Sequence, residues 1–399
     1  MEIKTDEKLI EKFLNRGVEA VYPSKEALRK KLMSGERLRV YQGFDPTGPY
    51  LHVGHAMGIR ALRLLQKLGH EVIFLIGDFT AKIGDPDKGK TRNILTDKQI
   101  EENMGGWKEQ AGQLIDFDGE NPVMFERNHK WLSRLTLEEI LKLMSNVTVQ
   151  QLLERDLFAK RINENTPIGL HEFFYPLMQG YDGVSMEVDM EIGGADQTFN
   201  MLVGRRLSKT YLNKEKFVRT NKMMEAPEGK TMNKTKGNGI NLSDSPENMY
   251  GKAMSYPDKL ITKGLELLTD IPMDQTEEIE RAIESGENPL EFKKLMAFEI
   301  VKVIKGEKAA VTAQQHFEKT VQKQKLPDEM PEIEFGGKGP LYQLLSVMAP
   351  KMSKTHIRKI IEQGGLMINN EKRTDPMEET KLKSGDIIKL GKRRYAKVK

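Results

Sequence analysis

Along the first 230 residues, apolar positions fall alternately into strand-like and helix-like runs. RLRVYQGFDP (37–46) reads as a strand, LHVGHAMGIRALRLLQKLGH (51–70) as a helix, and EVIFLIGDF (71–79) as a second strand. A helix between two apolar strands is a βαβ unit, which implies a parallel sheet and an α/β fold class. Further on, VDMEIGG (188–194) reads as a strand leading into the helix DQTFNMLVGRRL, and KFVRTNKMM (216–224) as another strand. Residues 133–165 are helical and Leu-rich, part of an insertion over about 100–165 packed on the sheet.

From Asp244 the pattern turns helical. SPENMYGKAM begins with Ser245 as a cap and Pro246 in the first turn, and helices continue to about Lys325. LPDEMPEIEFGGKGP (326–340) combines three prolines, three glycines and acidic residues, the marks of a linker. A last module, 341–399, follows.

Composition narrows the class. A chain of 399 residues with 38% hydrophobic content can bury two or three cores. No stretch approaches the ~20 apolar residues of a membrane span, and MEIKTDEKLIEKFL has no apolar signal core. With no cysteine there is no disulfide, thiolate metal site or cysteine nucleophile, and a cytoplasmic protein is expected. Charge is uneven: residues 341–399 hold 14 Lys+Arg against 6 Asp+Glu, a net of +8, which leaves −4 for the first 340. A basic module behind a mildly acidic body points to a polyanion such as nucleic acid, with a solvated basic tail as the plainer reading.

Five segments can carry chemistry. His52 and His55 stand at i and i+3 at the start of a helix, where backbone N–H groups and the dipole favour phosphate, and Gly54 lets a nucleotide approach. A metal pair is the competing use, but no third ligand lies nearby. Tyr175, Gln179 and Asp182 fall at i, i+4 and i+7, one polar stripe on a helix that Pro176 must start or kink; a solvent face is the alternative. Gly193-Gly194-Ala195-Asp196-Gln197 forms a strand-to-helix turn able to hug a ligand, with a carboxylate for ribose hydroxyls. Two lysine loops complete the set: EGKTMNKTKGNG, with Lys234 and Thr235, and KMSKT at 351–355.

Together these segments resemble the class I aminoacyl-tRNA synthetases, and within them the bacterial tyrosyl type. HVGH is similar to the HIGH motif of that class and KTMNKT to its KMSKS loop. YQGFDPT, YPLMQGYD and GGADQ match the segments that surround tyrosine and adenylate, and the motifs occur in the family's order over nearly the whole chain. The resemblance implies a Rossmann-like catalytic domain over 1–235 and an α-helical anticodon-binding domain over 236–325. It also implies a 326–340 linker and, over 341–399, the small RNA-binding domain first known in ribosomal small-subunit protein S-four. MSKTHIRKIIEQGGLMIN and SGDIIKLGKRRYAKV carry that last likeness. KMSKT at 351 is then the start of an RNA-facing helix, and the phosphate loop is the looser copy at 230–235.

Carried over by residue, the resemblance implies that Tyr41 and Asp182 bond the phenol hydroxyl of tyrosine. Tyr175, Gln179 and Asp85 hold its ammonium group, and Gln197 positions its carboxylate. Asp45, Gly54, Gly193, Asp196, Met232 and Lys234 line the nucleotide, while Thr47, His52, His55, Arg92, Lys234 and Thr235 act on the triphosphate. Either Lys88 or Lys90 is a further phosphate ligand. Lys351, Lys354, Arg358, Lys359, Lys392, Arg393 and Arg394 face RNA. The implied reaction joins L-tyrosine to ATP, taken as its Mg²⁺ complex, then passes tyrosine to the 3′ end of tRNA(Tyr). No prosthetic group or structural metal is implied; a homodimer with its interface in about 100–150 is. The chain departs from the family at Thr231, where the first loop lysine is displaced to Lys230, and at Glu191, where relatives often carry glutamine.

Overall fold

A computed structural model gives the architecture. It describes residues 2–85, 94–153, 156–226 (156 and 157 by backbone alone), 239–319, 330–334, 339–350, 352–369, 371–380, 382–391 and 394–399. The chain divides into two compact units, Met1–Gln315 and His316–Lys399.

The first unit is built on six strands: β1 (Val18–Tyr22), β2 (Arg39–Phe44), β3 (Glu71–Ile76), β4 (Met124–Arg127), β5 (Met190–Gly194) and β6 (Phe217–Asn221). Their order is β1-β6-β5-β2-β3-β4, parallel throughout except for the antiparallel edge pair β1–β6. Helix Val53–Lys67 joins β2 to β3, and helix Thr198–Leu212 joins β5 to β6, as the apolar periods require. From β2 the chain moves outward through β3 and β4, then returns to β5 and leaves on the other side. The reversal lies between β2 and β5, and in sheets of this kind the crevice beyond the carboxyl ends at that point is where ligands bind.

Strand β3 is buried along nearly its whole length, matching its unbroken apolar run. The rings of Phe44, Phe74 and Phe125 stack across three neighbouring strands at 4.3 and 5.6 Å. The Leu-rich stretch forms short helices, among them Leu137–Met144, Val149–Leu153 and Asp156–Asn163. Helices Pro246–Met254, Ile261–Leu268, Met273–Glu284 and Pro289–Lys305 belong to the same unit as the sheet. Arg16 donates to the carbonyls of Leu265 and Glu266 at 2.8 Å, and Arg60 to that of Leu267 at 3.0 Å, which satisfies the open end of helix Ile261–Leu268.

The second unit holds β7 (Glu332–Ile333), β8 (Leu366–Ile368), β9 (Glu371–Arg373), β10 (Ile387–Leu390) and β11 (Arg394–Val398) in the order β7-β11-β10-β8-β9. Its core comprises Leu341, Leu345, Ile357, Ile361, Ile388 and Leu390. Ser353 caps helix Lys354–Glu362 by accepting from His356 N–H at 3.2 Å. Part of the expected linker is structured, since β7 pairs parallel with β11. Among the described residues, no helix is long and apolar enough to cross a membrane.

Candidate active site

The crevice at the β2–β5 reversal gathers the polar stripe. Pro176 occupies the first turn of helix Tyr175–Ser185, so it starts the helix and does not kink it. Tyr175 and Asp182 are buried and Gln179 is half-buried, which excludes the solvent-face alternative. The Tyr175 hydroxyl donates to Asp45 Oδ2 at 2.9 Å, and Thr80 donates to Asp45 Oδ1 at 2.8 Å. Asp45 follows β2 directly, in a turn where Thr47 N–H donates to the Asp45 carbonyl at 2.8 Å.

At the floor, Asp182 accepts from Trp131 Nε1 at 2.7 Å and from Asn128 Nδ2 at 3.2 Å. Burial drives its carboxyl well above the usual carboxylate range, against the pull of those two donors. Tyr41 is fully buried on β2, opposite Glu191 of β5, and its hydroxyl lies 3.5 Å from the Gln179 carbonyl. Burial, then the charges of Glu191 and Asp182, raise the Tyr41 phenol well above its ordinary value. Apolar walls come from Ile73, Leu75, Met186 and Val188.

Glu191, the departure noted in the sequence, is not a lone charge. Lys216 Nζ lies 2.5 Å from Glu191 Oε2, both side chains being essentially inaccessible. Glu191 Oε1 accepts from Gln179 Nε2 at 3.0 Å, Gln179 Oε1 accepts from Asn200 Nδ2 at 3.0 Å, and Asn200 Nδ2 also donates to Gln197 Oε1 at 2.8 Å. Gln197 Nε2 in turn donates to Asp85 Oδ2 at 2.5 Å. Tyr41, Asp45, Asp85, Tyr175, Gln179, Asp182 and Gln197 thus share one site. Asp196 is exposed at its rim, in the turn after β5, and Gly193 packs so closely on Met201 that a Cβ would come within 2.8 Å of its sulfur.

The histidines occupy the start of helix Val53–Lys67. His52 Nδ1 accepts from Gly54 N–H at 3.1 Å, and His52 N–H donates to His55 Nδ1 at 3.0 Å. Each neutral ring therefore carries its proton on Nε2 and acts there as a donor, at a helix end whose dipole attracts anions. The rings are 3.9 Å apart. Val53 N–H donates to the Ile240 carbonyl at 2.9 Å, and Asn241 bridges to His52, so the segment after the 230–235 loop is fastened beside the histidines.

Lys88, Lys90, Arg92, Lys230, Thr231, Met232, Lys234, Thr235, Lys351, Lys392 and Arg393 lie outside the described residues. In the second unit Lys354, Lys359 and Arg394 are exposed, whereas Arg358 lies 3.9 Å over the Tyr342 ring. Sequence reasoning missed Thr80, Asn128, Trp131, Asn200 and Lys216. Only Trp131, one of two tryptophans in the chain, carried a hint, and that was its rarity.

Residues 33–322 match the family model for tRNA synthetases class I (W and Y), and the chain belongs to that class of aminoacyl-tRNA synthetases, which take ATP as a substrate. It is 41% identical to the tyrosine–tRNA ligase of Thermotoga maritima over 390 residues, 97% of this chain and 96% of that one. It is 39% identical to the tyrosine–tRNA ligase of Moorella thermoacetica over 396 residues, 97% and 95% of the two chains. Within its class, the chain belongs to the tyrosine–tRNA ligase family. The solved Aspergillus nidulans mitochondrial tyrosyl-tRNA synthetase, C-terminally truncated, is similar in fold at a TM-score of 0.65 and 22% identity, over 78% of this chain and 93% of that chain. The Archaeoglobus fulgidus tyrosyl-tRNA synthetase, solved with L-tyrosine, has a TM-score of 0.60 at 22% identity, over 78% and 100%.

Proposed function

We propose that the chain activates L-tyrosine with ATP and transfers it to tRNA(Tyr) in the cytoplasm. The observation that carries this reading is the buried pair of Tyr41 and Asp182 in an apolar-walled recess, with Asp182 oriented by Trp131 and Asn128. A phenol hydroxyl can donate to Asp182 and accept from Tyr41 at once, whereas a phenyl ring does neither and an indole N–H cannot accept; rejection of an analogue lacking the hydroxyl is a rule for which tyrosyl-tRNA synthetases are the standard example. Tyr175, Gln179 and Asp85 take the ammonium group, Gln197 the carboxylate, and Asp45, Gly54, Gly193, Asp196 and Met232 the nucleotide.

No protein nucleophile is needed. A carboxylate oxygen of tyrosine attacks the α-phosphorus of ATP, the bond to the β-phosphate oxygen breaks, and pyrophosphate leaves. A ribose hydroxyl of tRNA then displaces AMP from the tyrosyl carbonyl. Alignment, and positive charge placed where the leaving group gains negative charge, speed the first step. His52 and His55 supply Nε2–H donors there, with Thr47, Arg92, Lys234 and Thr235, and Mg²⁺ travels with ATP. The fastening of Ile240 beside Val53 supports 230–235 as the phosphate loop.

The helices of 236–325 serve anticodon binding, and the basic 341–399 module grips tRNA phosphates through Lys351, Lys354, Lys359, Lys392, Arg393 and Arg394. Two copies associate through the 100–150 region, where Leu137, Leu141 and Met144 lie exposed along one helix face. Pyrophosphate exchange tests the reading: it should depend on added tyrosine and not on tryptophan, and charging should follow with tRNA(Tyr). Exchange driven by tryptophan, or by neither amino acid, would overturn it.

A further inference from the structure

Lys216 is fully buried, pairs with Glu191, and meets the substrate-facing groups only through the Tyr41 ring, whose centroid lies 5.8 Å from its Nζ. Burying an ion pair removes two charges from water, and apolar replacements of similar volume are often no less stable, so stability alone does not account for the pair. The fold makes room for it. A Cβ at Gly204 would come within 2.5 Å of Lys216 Nζ, and one at Gly183 within 3.1 Å. Glycines on helices Tyr175–Ser185 and Thr198–Leu212 thus open a slot for the ammonium.

The consequence runs along the amide chain. A glutamine amide can turn by 180° with no change in shape, and only its partners decide which end is which. A carboxylate accepts and does not donate. Glu191 therefore draws the Nε2 end of Gln179 towards itself, and Asp85 does the same to Gln197 at the far end. Asn200 between them supplies hydrogens to both remaining carbonyls.

We propose that Lys216 and Glu191 are positioning residues for amino-acid recognition: the pair fixes the Gln179 amide with its carbonyl oxygen turned to the substrate ammonium. This rests on the reading of Gln179 as an ammonium ligand. Lys216 acts by occupying Glu191 Oε2, which leaves Oε1 to hold Gln179.

The near-isosteric Glu191→Gln provides the test. Lys216 then claims the carbonyl of the new amide, whose N–H₂ faces Gln179 and reverses it. The probes are tyramine, which keeps the ammonium and lacks the carboxylate, and 3-(4-hydroxyphenyl)propionate, which keeps the carboxylate and lacks the ammonium. Glu191→Gln should weaken tyrosine and tyramine by roughly 10- to 100-fold, within the range of coupling between contacting residues. Binding of the propionate and of ATP should stay within about twofold, or about 0.4 kcal/mol.

Adding Lys216→Met frees the residue-191 amide to turn, so the double variant should recover most of the lost tyramine affinity. A purely structural pair predicts no such rescue, and equal weakening of both probes or failure of the rescue would overturn the proposal. Gln179→Ala separates the two levels. If it spares tyramine, the assignment of the ammonium site is wrong. If it weakens tyramine while Glu191→Gln does not, only the positioning role falls.

Discussion

Trp131 donates its indole N–H to Asp182 Oδ1 at 2.7 Å, from a helix 51 positions earlier in the chain. With Asn128 on the second oxygen at 3.2 Å, the carboxyl group is oriented before any substrate arrives. Preorganisation of this kind lets binding energy go into recognition and not into ordering the site.

Trp131→Phe keeps the ring and removes only the donor. A hydrogen bond to a charged group contributes about 1.5–3 kcal/mol, so KM for tyrosine should rise by roughly 10- to 100-fold. KM for ATP should not change. Equal rises in both constants would mean that Trp131 supports the fold and not the phenol site.

Asp182 also stores instability. Its carboxyl is pushed up first by burial, and Glu191 and Asp45 add to the effect. A carboxyl with a raised folded-state pKa holds its proton more tightly in the native chain, so stability falls as pH rises from the unfolded value, about 3.9, towards the folded one. Asp182→Asn has no proton to lose. Its N–H₂ replaces an oxygen that accepts from Trp131 or Asn128, a fixed cost at every pH, so its melting temperature relative to the native chain should rise from pH 4 to neutral pH, by about 1–2 °C for each kcal/mol released. Tyrosine activation should collapse in the same variant. No such rise relative to the native chain would show that the donors offset what burial takes away at Asp182.

His52 has two jobs that one pair of substitutions separates. His52→Asn retains a side-chain acceptor for Gly54 N–H and loses the Nε2 donor, so stability should hold while adenylate formation slows by roughly 10²–10³. His52→Ala loses the cap as well and should cost a further ~1 kcal/mol of stability. Thermal unfolding together with single-turnover adenylate formation reads both. Should the Asn variant keep full activity, the histidine serves only as a helix cap.

The central βαβ unit is legible in the sequence because Val53–Lys67 carries a helical period between two unbroken apolar runs, and local pattern decides both elements. Strand β4, only four residues long, and the half-buried edge strand β1 offer no such pattern; their existence depends on neighbours supplied by the rest of the sheet. The site divides in the same way. Gln179 and Asp182 stand out through helical spacing, and Asp45 and Gln197 through their motifs. Lys216 is invisible, since a lysine in NKEKFVRT looks solvated until Gly183 and Gly204 are seen to leave it a slot beside Glu191. Trp131 and Asn128 are silent for a related reason: each orients a carboxylate more than 50 positions away.

The two lysine loops should fail differently. Lys234 follows the sheet and precedes Ile240, whose carbonyl is bonded beside the histidines. Lys234→Ala removes a charge that acts mainly as pyrophosphate gains negative charge, so adenylate formation should slow by roughly 10²–10³, with tyrosine affinity unchanged. Lys230→Ala asks whether the displaced lysine compensates for Thr231; a loss of similar size shows that it does, and no loss shows that the position is unfilled. Lys354 is exposed on a helix of the second unit, whose core closes without any part of the sheet around the site. Lys354→Ala should leave pyrophosphate exchange intact and weaken tRNA binding, with the salt dependence of binding reduced by about 0.7–0.9 log units per tenfold change in salt if one phosphate contact is lost. If Lys354→Ala slowed exchange and Lys234→Ala did not, KMSKT at 351–355 would be the phosphate loop and the roles of the two segments would have to be exchanged.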